Sequence, residues 1–161
     1  MILGNFRMTA GNNQPRPAIE FVQEVFYPET PIEFLVTEFT HVRRIRIVLR
    51  CRKRADYKFY INLKNGEDIV MQMDPRVREK RIIFNSFYNG HWQVEETAPM
   101  MGGYFIADTY YTVDLVPTRF HSVFVYIDGR FTYEFRERQP GFKVRSLGIG
   151  GDVQVHSVHF T

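Results

Sequence analysis

The chain has 161 residues, 44% of them hydrophobic, with 15 Phe and 9 Tyr; that is enough apolar material for one substantial core and excludes a disordered chain. A formal net charge of +3 is mildly basic and gives no call for a nucleic-acid partner. A single cysteine, Cys51, excludes an internal disulfide framework and suits a reducing compartment.

The opening stretch contains GNNQPRP and carries no hydrophobic period, so residues 1–20 are expected to be a loose tail and 21–161 one domain. The start MILGNFR lacks a charged leader and has too short an apolar run for a signal peptide. No stretch approaches the roughly 20 apolar residues of a membrane span. The expectation is a soluble protein made in the cytoplasm, with export by a route that needs no signal peptide left open.

From residue 44 onward the periodicity is that of strands. Ile45, Ile47, Leu49 and Cys51 alternate with Arg44, Arg46 and Arg50; Tyr57, Phe59, Ile61 and Leu63 alternate with Lys58, Tyr60 and Asn62. Ile69, Met71 and Met73 alternate with Val70, Gln72 and Asp74. Val123, Val125 and Ile127 lead to Asp128-Gly129 and then Phe131, Tyr133 and Phe135, a hairpin pattern in which Asp-Gly supplies the positive-φ turn. Leu147, Ile149, Val153 and Val155 flank Gly150-Gly151-Asp152, which reads as a turn. No helical period is sustained over three turns. The fold class that follows is all-β, with two antiparallel sheets packed as a sandwich. Ile47, Leu49, Phe59, Ile61, Met71, Met73, Val125 and Ile127 are its expected core.

Positions i, i+2 and i+4 of a strand share a face, so Gln72, Asp74 and Arg76 project together, away from Met71 and Met73. Pro75 lacks an N–H and suits a strand end or edge. This segment alone reads as a solvated outer face. The next strand, Arg81 to Asn85, can add Asn85 to that surface, and Trp92, Glu95 and Glu96 follow. Trp92 is the only tryptophan. A core or rim position is its ordinary reading; the functional one is a stacking platform. An aromatic ring takes the apolar C–H face of a pyranose, while charged and amide side chains take the hydroxyls.

The runs YINLKNGEDIVMQMDPR, RIIFN and GHWQVEET resemble the core of the galectins, and VYIDGRFTYEFRER and SLGIGGDVQVHSVHF resemble their closing strands. The resemblance covers residues 26–160 and implies a jelly-roll-like β-sandwich that binds β-galactosides in a shallow groove on one sheet. The family's motif is His-x-Asn-Pro-Arg, Val-x-Asn and Trp-x-x-Glu-x-Arg. Pro75, Arg76, Asn85, Trp92 and Glu95 match it. Gln72 replaces the His, Asp74 the first Asn and Thr97 the last Arg. The resemblance implies that the first motif addresses the axial 4-hydroxyl of galactose, the second Asn and the Glu the 6-hydroxyl, and the Trp the ring face. An ionised Asp74 is acceptor-only and can occupy Arg76, and Thr97 is too short to reach a second sugar.

The expected site is therefore a carbohydrate groove of Gln72, Asp74, Arg76, Asn85, Trp92 and Glu95, altered or weakened for β-galactosides. The partners expected are glycans or glycoproteins, with a homodimer left open. The alternative is a galectin-fold module that has lost sugar binding and acts in protein–protein interaction. No cofactor is called for. Scattered histidines (41, 91, 121, 156 and 159) do not make a metal site. Asp74, Glu95 and Glu96 bring no activated nucleophile with them, so no enzyme is expected. The basic stretch Arg43, Arg44, Arg46, Arg50, Arg52, Lys53, Arg54 and Lys58 reads as the polar face of one strand, which the resemblance implies lies in the sheet opposite the groove; a patch for sulfated glycan, nucleic acid or anionic lipid is the sharper reading.

Overall fold

A computed structural model describes residues 19–100 and 104–161. The tail expected over residues 1–20 lies almost wholly outside the described residues. The strands in chain order are β1 (Gln23–Phe26), β2 (Ile32–Leu35), β3 (Ile45–Cys51), β4 (Phe59–Asn65), β5 (Asp68–Arg76), β6 (Arg81–Tyr88) and β7 (His91–Trp92). Then come β8 (Glu96–Pro99), β9 (Tyr110–Pro117), β10 (Ser122–Ile127), β11 (Arg130–Arg136), β12 (Ser146–Gly151) and β13 (Val153–Phe160). One 3-10 turn, Val77–Glu79, links β5 to β6. No helix among the described residues is long and apolar enough to cross a membrane.

The chain forms two antiparallel sheets. One has the order β1-β13-β3-β9-β10-β11; the other runs β2-β12-β4-β5-β6-β7, with β8 also paired to β6. Strict alternation produces this. In β3 every second residue is buried, Ile45, Ile47, Leu49 and Cys51, and the arginines between them face outward. All eight expected core residues are buried, between the two sheets. Cys51 lies among them, and burial pushes its thiol up to about 12. Asp128 and Gly129 both take positive φ, as a two-residue hairpin that follows the strand twist requires.

Gly150-Gly151-Asp152 differs from the expected turn. β12 pairs with β4 in one sheet, and β13 pairs with β3 in the other, so this segment passes the chain between sheets. Gly151 has φ +90°, and a Cβ there would lie 2.7 Å from the Phe59 Cα, which only glycine avoids. Alternation also slips at the start of β5. A bulge between Ile69 and Gln72 leaves Ile69 half-buried opposite Phe87, out of phase with Met71 and Met73.

The basic stretch divides. Arg44 and Arg46 both bond Asp114 of β9, and Arg50 bonds Gln154 of β13, all on the sheet that does not carry Gln72 and Asp74.

Candidate functional site

The candidate residues come from β5, β6, β7 and the segment that follows β7. Register places them. Gln72 stands opposite Asn85 of β6 on one side and Asn62 of β4 on the other. Asp74 stands opposite Ile83, and Arg76 opposite Arg81. Trp92 pairs with Phe87, two residues beyond Asn85. Met71 and Met73 anchor the inner face of β5 with no exposed surface, which fixes the intervening Gln72, Asp74 and Arg76 on the outer one.

On β5 the side chains are largely engaged with each other. Arg76 donates from Nε to Asp74 at 3.0 Å and places Nη2 3.6 Å from a Glu95 oxygen. Gln72 donates to Asn62 at 2.9 Å. The Asp74 side chain is only 13% exposed. Burial raises its carboxyl above the usual carboxylate range and outweighs the bond and charge of Arg76, which act the other way. Arg76 itself is held further protonated: its own burial opposes the charge, and the bond and charges of Asp74 and Glu95 overcome this. Beside Gln72 and Asp74 lies a hollow of about 280 Å³, lined also by Asp56, Lys58, Tyr60 and Asp152.

The β6–β7 part is different. Trp92 is 49% exposed, its ring set edge-on to Phe87 with centroids 5.3 Å apart. It lies on the surface and leaves an apolar face to solvent. Asn85, by contrast, is only 5% exposed. Its Nδ2 donates to the Gln93 carbonyl at 3.0 Å, and its Oδ1 accepts from the Ser86 N–H at 2.8 Å and from Arg138 at 2.9 Å.

The structure thus joins Asp74, Arg76 and Glu95 by ion pairs and Gln72 to Asn85 by register, and sets Trp92 on the neighbouring strand. Asn85 is more committed than the sequence reading expects. Thr97 is exposed on β8, opposite Ile83. Three further residues belong to the arrangement and were not singled out by the sequence: Asn62, Gln93 and Arg138. Strand alternation could have found Asn62. Arg138 follows β11 in a stretch without period, and nothing in its spacing points to β6.

Among the described residues no group of three or more His, Cys, Asp or Glu is placed to hold a metal ion. The chemistry available is recognition: an open aromatic face beside carboxylates, a guanidinium and amides that can exchange hydrogen bonds with hydroxyls.

Comparison with known proteins bears on this directly. A family model described as galactoside-binding lectin matches residues 33–160. Galectin-7 of Rattus norvegicus is 32% identical over 105 residues, which cover 63% of this chain and 75% of that protein. Galectin-4 of Bos taurus is 30% identical over 140 residues, 83% of this chain but 40% of that longer protein. The crystal structure of the Caenorhabditis elegans galectin LEC-6 superposes with a TM-score of 0.79 at 33% identity, covering 89% of this chain and 99% of that one.

Proposed function

The chain belongs to the galactoside-binding lectin family, and on that premise we propose that it is a glycan-binding domain whose groove is weakened for plain β-galactosides. The family is one of lectins and not of enzymes, and the two-sheet sandwich is its fold. The observation that carries the proposal is the Asp74–Arg76 ion pair. An amide at position 74 would leave the guanidinium to the ligand; a carboxylate holds it.

In this reading Trp92 stacks on the apolar face of a sugar ring, and Glu95 and Asn85 meet one of its hydroxyls. Gln72, Asp74 and Arg76 form the half of the groove that would read the axial hydroxyl, and each is already bonded within the protein. A ligand must displace those bonds, and each lost bond to a charged group costs about 1.5–3 kcal/mol. For a shallow, water-exposed groove, two such losses are enough to remove measurable affinity. Glycans or glycoproteins are the proposed partners. A specific nucleic-acid partner is not among them: Arg44 and Arg46 share Asp114, and Arg50 bonds Gln154, so these arginines are engaged within the sheet.

A glycan array at physiological salt, run with wild type and Trp92→Ala, tests this. Sparse, weak binding that the substitution abolishes supports the lectin reading. Silence across the array, from a folded protein that forms a dimer or a partner complex, favours the interaction-module reading instead.

A further inference from the structure

Arg138 lies outside every segment that carries the groove, yet its guanidinium makes three side-chain bonds at the groove's far end. Nη1 donates to the Asn85 Oδ1 at 2.9 Å and to the Ser86 Oγ at 3.2 Å; Nη2 donates to Glu96 at 2.8 Å. Glu96 is held in turn by a short bond from the Tyr133 hydroxyl. The guanidinium also lies 5.1 Å from the centre of the Phe135 ring, and its side chain is mostly buried. A planar, always-charged fork with three fixed partners is a rigid part, which a lysine could not copy.

What it holds is an amide with a defined polarity. Arg138 and the Ser86 N–H can only donate, so the atom they meet must be the oxygen of Asn85. The Gln93 carbonyl can only accept, so the atom facing it must be the nitrogen. The two sides agree, and the amide cannot be turned over without losing three bonds. Its accepting capacity is filled, and one N–H is left.

The same amide reaches the stacking residue. Gln93 follows Trp92 directly. Its carbonyl takes the Asn85 bond, its N–H donates to the Ser86 carbonyl, and its side chain bonds the carbonyls of Tyr88 and His91. A continuous path of hydrogen bonds therefore runs from Arg138 through Asn85 to the residue beside Trp92.

We propose that Arg138 is a positioning residue of the groove: it locks Asn85 as a hydrogen-bond donor only and, through Gln93, sets the seat of Trp92. The ligand class follows. The group that meets Asn85 must accept a hydrogen bond, as a hydroxyl can and a protonated amine cannot. The ligand half of this proposal rests on the glycan reading of the groove; the half concerning Asn85 and Trp92 does not.

The test uses full-length, nitrogen-15-labelled wild type, Arg138→Met, Arg138→Lys and Ser86→Ala. Three signals are read: the side-chain amide resonances of Asn85, the emission of the single tryptophan, and the shifts produced by titrating methyl β-galactoside to high millimolar concentration. In wild type and Ser86→Ala the two Asn85 amide protons are expected to be well separated and protected. In Arg138→Met they move together and exchange, Trp92 emission shifts, and affinity for the galactoside falls about tenfold, the effect of one charge-assisted hydrogen bond. The resonances of β3 and β9 stay in place, which a general loss of stability would not allow. If Arg138→Met does not fold, Arg138→Lys carries the same decision, because a single ammonium nitrogen does not reproduce the two separate nitrogens that meet Asn85 and Glu96. Unchanged Asn85 and Trp92 signals in a folded Arg138 variant would overturn the proposal. A wild type that never responds to the galactoside agrees with a groove weakened for plain β-galactosides, and the Asn85 and Trp92 signals then decide the role of Arg138 by themselves.

Discussion

Two aspartates on opposite sheets each meet arginine, and they are built differently. Asp114 on β9 accepts three bonds from two guanidinium groups: 2.8 and 3.0 Å from Arg46, and 3.1 Å from Arg44. Its side chain is 5% exposed, and Phe21 lies over Arg46 at 5.4 Å. Asp74 on β5 accepts one bond from one arginine, which also leans toward Glu95. The first cluster is a closed clamp whose carboxylate oxygens are both filled. The second is buried but under-bonded, and its carboxyl is pushed upward as a result. A buried charge left short of partners costs stability, so the fold itself gives no reason for it. Such a group is better explained by what it faces, here the hollow beside Gln72.

The largest expected effect falls on the clamp. Asp114→Ala leaves two arginines beside each other without their acid and should cost about 3 kcal/mol, the low end of the range for breaking a buried pair, because both guanidinium groups retain some access to water. Denaturant unfolding measures it. A cost near zero would mean that the clamp is as dispensable as a surface pair.

Asp74→Asn should do the opposite and less of it, changing stability by no more than about 1 kcal/mol at neutral pH and in the favourable direction. The sign follows from linkage. The folded-state carboxyl titrates above its unfolded value, so the native state binds the extra proton between the two. Wild-type stability is then fully present below the unfolded value and falls as pH rises through the folded one. The amide does not titrate. The advantage of Asp74→Asn over wild type should therefore be absent in strong acid and grow toward neutrality. Paired unfolding curves across that range check it, and an advantage that shrinks toward neutral pH would show that Arg76 wins over burial.

Much of this fold is legible from alternation alone, because a strand packed on one face must bury every second residue. β3, β4 and β10 follow that rule, and the expected core residues on them are buried; on β11 only Phe135 is, with Phe131 exposed. The rule fails where geometry is not periodic. The bulge that moves Ile69 out of phase leaves no mark in composition, and the passage of Gly150-Gly151-Asp152 between sheets looks like a hairpin turn in sequence. In the candidate site, the outward direction of Gln72, Asp74 and Arg76 follows from the same alternation. The pairing of Asp74 with Arg76 was foreseeable because i and i+2 share a face. The commitment of Asn85 was not, since its partner stands 53 residues away in a loop and long-range polar contacts have no period.

The central claim is that the chain's own Asp74–Arg76 pair, with Gln72 and Thr97 in place of longer or more basic side chains, weakens galactoside binding. Calorimetric titration of lactose into wild type and into the triple variant Gln72→His, Asp74→Asn, Thr97→Arg tests it most directly. The account predicts weak or undetectable heat from wild type. It predicts a gain of about tenfold or more in the variant, since one restored charge-assisted hydrogen bond is worth that much and Arg76 is freed at the same time. Wild-type binding as tight as the variant's, or a folded variant as silent as wild type, would contradict it.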